Sequence, residues 1–495
     1  VINNFQPTDP SVTITAPFVI TPVVFTGTGF GQGSMNNFNP TGGLVVENYG
    51  FVRANTPTVL TTGGSGSFTG DVSYGDNLMA MSNWNSSAVR ASTPNALYSA
   101  AADKRITISG DWTVNHIVAS QTMFISYNPY EVGRGGSTGA QIMEMSGNLT
   151  LNNTGGGTLI GVEHQLLAGG GGGGQPFNAG AFPVFVNSGV MRLNNGSRMI
   201  GIMIDSENFG SVGSDFIQPP QTFNTGTIEL GANSSNSIGM DFGQYYDNGV
   251  LNTDAYAGDI IVDGTENYGV RVYNVWPGNL NYYNQIRLHG EKSNSGIFGA
   301  GGAGLIQVRG TKNIGISFVK KMGVSGYIDN VFNMNVLVDG NQGVGILRSG
   351  DYVSTQTNDM NLTNAQVRSL MFGDNSEKSI LVRSDRFTTV IDSSLSANIG
   401  SNVGGVTTLG GVITNGNDNI LFLANGSGQS AAQVGKIINN ADVTITNTSK
   451  NLKGLVAYDG GEITNNAVLI NNSTRDRVAP KDVGAVGMAM IGTSS

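Results

Sequence analysis

Cysteine is absent from the 495 residues, so neither a disulfide nor a thiolate-bound zinc ion can hold the chain together. Stability has to come from a hydrophobic core. Charged residues make up only 12%, about half the usual share, and the 25 Lys and Arg are scattered rather than clustered. A formal net charge of −9 and a pI near 4.8 argue against the basic footprint that a phosphate backbone requires, so no nucleic-acid partner is expected. There is no polybasic block for an anionic membrane surface. No stretch of about 18 residues escapes polar interruption, which excludes a transmembrane helix. Disorder pairs low hydrophobicity with high net charge, whereas 39% of this chain is apolar.

Glycine is what the chain has in excess. The 73 glycines lack the three-residue period of collagen and accompany Asn, Ser and Thr. Near the C-terminal end they punctuate a duplicated run. Gly435 opens GKIINNADVTITNTS and Gly461 opens GEITNNAVLINNS. Looser versions occupy the middle. Ile228-Glu229-Leu230 precedes Gly239-Met240-Asp241-Phe242, and Ile260-Ile261-Val262 precedes Gly269-Val270-Arg271-Val272. Ile286-Arg287-Leu288 leads to Gly296-Ile297, Ile306-Gln307-Val308 to Gly315-Ile316-Ser317-Phe318, and Val336-Leu337-Val338 to Gly345-Ile346. Earlier units stand at Ile106-Thr107-Ile108, Leu149-Thr150-Leu151 and Met191-Arg192-Leu193.

Alternate residues of a strand share a face, so each unit can bury its apolar members while Asn and Gly supply sharp corners. Recurrence at about 20–50 residues is the period of a stacked solenoid. A β-sandwich also shows short alternating runs, but here the corner chemistry recurs with the alternation. The fold class expected is all-β, a right-handed parallel β-helix with loop insertions over 105–495, most regular over 435–495. Residues 1–104 fit less well and read as an N-terminal cap or tip, or as a small separate domain. Within them Pro94 could open a short helix with Thr93 near its cap.

The sharpest local feature is aromatic. Tyr245, Tyr246, Tyr256, Tyr268, Tyr273, Tyr282 and Tyr283 fall in one stretch with Trp276, one of only three tryptophans. Several stand in turns, as in GQYYDNG and YNVWPGNLNYYNQ. Amphipathic rings grip sugars or anchor protein contacts, and Asp247, Asn274, Asn281 and Asn284 would add hydrogen bonds. The candidate binding set is therefore Tyr245, Tyr246, Asp247, Tyr273, Trp276, Asn281, Tyr282 and Tyr283. The competing reading is that these rings pad corners. Gly169 to Gly174, six glycines in a row, read as a flexible corner insertion or as a loop that moulds to a partner.

Other chemistry is thin. His116, His164 and His289 have no second ligand at helical spacing and read as isolated surface or corner residues, so no metal and no cofactor is expected. Asp205, Glu207 and Asp215 could reach one calcium ion, or be solvated loop charge. Gly64-Ser65-Gly66 lacks the acidic neighbour of a protease serine and precedes every histidine, which argues against a chymotrypsin-like enzyme. A β-helical lyase or hydrolase needs carboxylates on one groove. Asp205 stands four residues after Gly201 and Asp241 two after Gly239, so the two do not stack in this register.

The units ending in GGEITNNAVLINNS and DVGAVGMAMIG resemble passenger domains of large Gram-negative type V autotransporters, and within those the large fusobacterial adhesins. Such proteins carry G-x-I-x-N-x-A/G-x-I units, often followed by a short apolar run such as Gly484-Ala485-Val486-Gly487-Met488. The similarity is clearest over 435–495, looser over 190–350, and hardly visible before 105. The resemblance implies an exported virulence adhesin at the cell surface, and a monomer without enzymatic activity is expected. It would attach to host cells or other bacteria through glycan or protein receptors. Tethering in the outer membrane would use a C-terminal barrel that is absent from this chain. The start at Val1 and the end at Gly492-Thr493-Ser494-Ser495 predict a removed signal peptide and further protein behind. The alternatives are a β-helical polysaccharide lyase or hydrolase and a phage tail spike.

Overall fold

The computed structural model describes residues 13–14, 44–47, 51–54, 58–62, 77–79, 104–109, 111–117, 119, 122–127, 141–165, 183–206, 221–244, 252–274, 285–292, 302–320, 331–350, 360–426, 434–475 and 485–491. They are almost all β. One short 3-10 turn, Ser393–Asn398, is capped by Asp392, whose carboxylate accepts a hydrogen bond from the Ser394 N–H. No helix among the described residues is long and apolar enough to cross a membrane, which says nothing of a β-barrel. The possible helix at Pro94 lies outside the described residues. The chain divides into two compact units, Val1–Tyr256 with Asn281–Ile286, and Ala257–Leu280 with Arg287–Ser495.

In the first unit three strands recur in chain order, and each pairs in parallel with its counterpart one repeat later. First strands run Phe51–Ala54, Lys104–Ser109, Gln141–Met145, Pro183–Asn187, Gln221–Asn224 and Asn252–Tyr256. Second strands run Thr58–Thr62, Asp111–His116, Asn148–Asn153, Val190–Ser197 and Thr227–Ser235. Third strands run Asn77–Met79, Thr122–Tyr127, Leu159–Gln165, Met199–Ser206 and Ile238–Gln244. Parallel pairing therefore reaches ahead of residue 105. Ahead of Phe51–Ala54 the chain turns antiparallel, through Leu44–Glu47 and Thr13–Ile14.

Register converts alternation into a core. Trp112, Leu149, Met191 and Ile228 stack in one column, and Val114, Leu151, Leu193 and Leu230 in the next, all buried. Each rung sits about 4.8 Å from the last, so side chains inside these columns meet apolar side chains of the neighbouring rungs. A fully buried aliphatic side chain contributes about 1.5–3 kcal/mol, and the stack repeats that gain.

The second unit keeps the plan and widens it. Second strands run Asp259–Val262, Ile306–Val308, Met334–Val338, Val367–Phe372 and Ile399–Val403. Third strands run Tyr268–Asn274, Ile314–Lys320, Val344–Gly350, Ile380–Ser384, Ile420–Asn425, Lys453–Tyr458 and Val486–Ile491. The first-strand position is held by Leu288 and His289 against Val331 and Phe332. Two further parallel ladders then appear. One runs Met360–Leu362, Phe387–Ile391, Gly435–Asn439 and Glu462–Asn465. The other runs Val412–Ile413, Val443–Ile445 and Leu469–Asn471.

The duplicated run sets its own register. Ile437 pairs with Ile463 and Asn439 with Asn465, and the Asn439 Nδ2 donates to Asn465 Oδ1 at 2.8 Å. Two expectations need correction. Ile286-Arg287-Leu288 does not align with Ile260-Ile261-Val262. It lies in the strand Gln285–His289, ahead of Ile306–Val308, which is the strand that pairs with Ile260–Val262. Short alternating triplets look alike, and only register tells first strands from second. The third sheet of the second unit also departs from simple alternation. Val344, Leu347, Ile380, Leu423, Val456 and Ala489 form a buried apolar cluster of their own. They occupy positions one and four of their strands, separate from the column Ile316, Ile346, Val382, Phe422 and Leu455. A parallel sheet buried on both faces reads as a nearly continuous apolar run, as in ILFLAN.

Candidate binding corner

Three kinds of corner close the rungs, and two of them carry repeated fixed contacts among the described residues. Between first and second strands stand Ser146-Gly147, Ser188-Gly189 and Thr225-Gly226. The Ser188 and Gly189 N–H groups both donate to the Met145 carbonyl, at 2.9 and 3.1 Å, and Thr225 and Gly226 repeat this on Asn187, both at 2.9 Å. A Cβ at Gly189 would overlap the Gly147 carbonyl, and one at Gly226 the Gly189 carbonyl. Glycine is required because each corner rests on the one before it.

Between second and third strands of the second unit runs a thin ladder of single bridges through Thr265, Thr311, Asn341, Glu377, Asn417 and Lys450. The residue after each adopts a positive φ: Glu266 57°, Lys312 56°, Gln342 56°, Lys378 51°, Asp418 56°, Asn451 49°. After the first five of these the next residue down the chain is a buried Asn, Ser or Gly, and after Asn451 it is the buried Leu452. Asn267 N–H donates to Asn313 Oδ1 (2.8 Å), Gly343 N–H to Ser379 Oγ (2.9 Å) and Ser379 N–H to Asn419 Oδ1 (2.9 Å). Buried backbone donors at the turn are thereby satisfied without ordered solvent.

The remaining corner varies. In the first unit the chain leaves each third strand and returns to the next first strand through 80–103, 128–140, 166–182, 207–220 and 245–251, and 63–76 stands between a second and a third strand. From third strands of the second unit, 275–284, 321–330, 351–359 and 427–433 leave in the same way. Two other insertions of that unit, 293–301 and 476–484, fall elsewhere in the rung.

This topology sorts the candidate residues. Tyr245, Tyr246 and Asp247 lie in 245–251, and Trp276, Asn281, Tyr282 and Tyr283 in 275–284. All seven lie outside the described residues, as do Gly169–Gly174, Glu207, Asp215 and Gly64–Gly66. Tyr273 is the penultimate residue of the strand Tyr268–Asn274, paired with Val319. Tyr256 separates from the group: it is 6% exposed and stacks on Phe223, with ring centroids 4.7 Å apart. Tyr268 is half-buried and pairs with Ile314.

Two histidines also move from their expected place. His116 and His164 are fully buried, not at the surface, because both fall at core-facing strand positions. His164 Nδ1 lies 2.9 Å from Thr222 Oγ1, with the Phe185 ring nearby at 6.3 Å. Burial holds its imidazole pKa down, from 6.5 to about 3, so the ring is neutral. His289 is half-buried and stacks on Phe332 at 5.2 Å.

Asp241 pairs with Met203 and Asp205 with Gly243, so those two carboxylates do not share a column. Glu163 does share Asp241's column, through Met203, and both are buried. The signal was in the sequence: Glu163 and Asp241 each stand two residues after a glycine, in GVEH and GMDF. Among the described residues no group of three or more histidines and carboxylates could hold a metal ion. Comparison with protein-family models, curated proteins and solved structures finds no match in any of the three.

Proposed function

We propose that the chain is the passenger of a type V autotransporter adhesin, a right-handed parallel β-helix that displays binding segments along one corner. The observation that carries this reading is the concentration of chain-length variation after the third strand, beside two corners locked by glycine contacts and side-chain ladders. Such a scaffold tolerates insertions where nothing packs and holds them in axial order. Right-handed coiling is expected because parallel crossovers overwhelmingly take that hand. The aromatic residues Tyr245, Tyr246, Trp276, Tyr282 and Tyr283 belong to connections of this kind, with Asp247 and Asn281 as hydrogen-bonding neighbours. Receptors would be surface glycans or proteins on host cells or other bacteria, met by several segments together. Export to the cell surface and anchorage by an outer-membrane barrel follow from the same reading.

Replacing Trp276, Tyr282 and Tyr283 together with Ala should reduce attachment of the purified chain to cells about tenfold or more, with its circular dichroism spectrum unchanged. Unaltered attachment by the folded triple variant would remove these residues from the binding surface. Release of new reducing ends from polysaccharides would replace the adhesin by a carbohydrate-active enzyme.

A further inference from the structure

In the first unit the ends of three consecutive second strands carry one tripeptide in register. Asn152-Asn153-Thr154, Asn195-Gly196-Ser197 and Asn233-Ser234-Ser235 each follow the pattern Asn-x-Ser/Thr with no proline between. This is the tripeptide at which an asparagine accepts an N-linked sugar. Asn152 pairs with Asn195, and Asn195 with Asn233, so the three copies lie one above another.

The ladder bulges at this point. Asn152 follows the buried Leu151 directly, Asn194 stands between Leu193 and Asn195, and Gly231 and Ala232 stand between Leu230 and Asn233. A bulge re-aims side chains out of the pleat, and Asn195 and Asn233 are both exposed. Their strands end at Ser197 and Ser235, each in front of a left-handed corner residue, Arg198 at φ 56° and Asn236 at φ 47°.

A chain rich in Asn, Ser and Thr holds other copies of the tripeptide, and hydrogen bonding separates them. Transfer needs an amide nitrogen free to attack and an available hydroxyl two residues on. Asn148, Asn152, Asn425 and Asn471 fail the first condition. Their Nδ2 groups donate to Asp111 Oδ1 (2.7 Å), Asn115 Oδ1 (2.9 Å), Asp385 Oδ1 (3.0 Å) and the Leu452 carbonyl (2.6 Å). Asn361, Asn447 and Asn472 fail the second. The Thr363 hydroxyl donates to Gln366 Oε1, that of buried Ser449 to the Asn415 carbonyl (3.3 Å), and that of Thr474 to the Ser449 carbonyl (3.1 Å). Asn195 and Asn233 meet both conditions: among the described residues no hydrogen bond engages their side-chain amides or the hydroxyls of Ser197 and Ser235. Asn85-Ser86-Ser87 lies outside the described residues.

We propose that Asn195 and Asn233 are acceptor sites for an N-linked sugar, held at the corner between second and third strands. The donor is a diphosphate-activated sugar, brought by a glycosyltransferase that recognises the tripeptide. The asparagine Nδ2 attacks the anomeric carbon and a carbon–nitrogen bond forms. The bond from that carbon to the phosphate oxygen breaks, the diphosphate leaves, and the amide gives up one proton. The inference does not rest on receptor binding, which concerns a different corner of the rung.

The chain isolated from the cells that make it, digested and sequenced by mass spectrometry, should carry the mass of a sugar on Asn195, Asn233 or both, with Asn148 and Asn471 unmodified. Asn195→Gln with Asn233→Gln should remove that mass and leave the unfolding temperature unchanged, since both side chains are exposed. Ser197→Ala with Ser235→Ala should remove it while both asparagines remain, and Ser197→Thr with Ser235→Thr should keep it. Unmodified Asn195 and Asn233, deamidation in place of a sugar, or a sugar that survives loss of the two hydroxyls would overturn the proposal.

Discussion

His164 shows how one buried side chain ties stability to pH. Its folded pKa, about 3, lies below the ordinary 6.5. Between those values the unfolded chain takes up a proton that the folded chain refuses, so stability is fully present above pH 6.5 and falls as pH drops towards 3. The slope is about 1.4 kcal/mol per pH unit. Denaturant midpoints at pH 7 and pH 4 should differ accordingly, and His164→Phe should flatten that difference. At the locked corner, Gly189→Ala should cost about 1–3 kcal/mol, read as a lower denaturation midpoint, because a methyl group overlaps the Gly147 carbonyl. Gly315 tests the same physics in the second unit, where a Cβ would stand 2.7 Å from the Gly345 carbonyl and 3.0 Å from Val308 Cγ2. Leucine fills that position in Leu381 and Leu421, both fully buried, in rungs that carry additional strands.

At the scale of elements, the turn between second and third strands depends on polar side chains that serve two rungs. Asn313 accepts from the Asn267 N–H while its Nδ2 donates to the carbonyls of Arg309 (2.6 Å) and Gly264 (3.1 Å). Asn313→Ala would leave buried groups on both rungs unsatisfied and should cost about 3 kcal/mol. Exchange protection should fall first at residues 263–270 and 309–316. The strands themselves were unequally legible. Second and third strands announce themselves by a glycine or a polar turn between two apolar alternations. First strands such as QTFN and QIRLH have no such punctuation, which is why Ile286–Leu288 reads as the wrong member of its rung. Alternation also understates the third sheet of the second unit, where positions one and four are apolar on the second face.

For the molecule as a whole, the separation of fixed and variable corners is open to a direct test. Five Gly-Ser residues inserted within 166–182 should leave the unfolding midpoint unchanged, since a longer loop costs only about 0.6 kcal/mol per doubling. The same insertion between Ser188 and Gly189 should abolish cooperative unfolding of the first unit. Equal effects at the two places would mean that the corners are not distinct.

The sequence by itself determined the strand chemistry, the glycine corners and, in the run opened by Gly435 and Gly461, the register of neighbouring rungs, because identical residues stack best on each other. It also kept Asp205 and Asp241 apart. Tertiary structure alone decided which alternating triplets belong to which sheet, since that depends on pairing with residues a rung away. It assigned Tyr256, His116 and His164 to the core, although residue type does not mark them and, for the two histidines, only continuation of the alternation Trp112-Val114 and Ile160-Val162 does. It placed Glu163 in line with Asp241 as well, because carboxylates meet through register rather than through proximity in the chain.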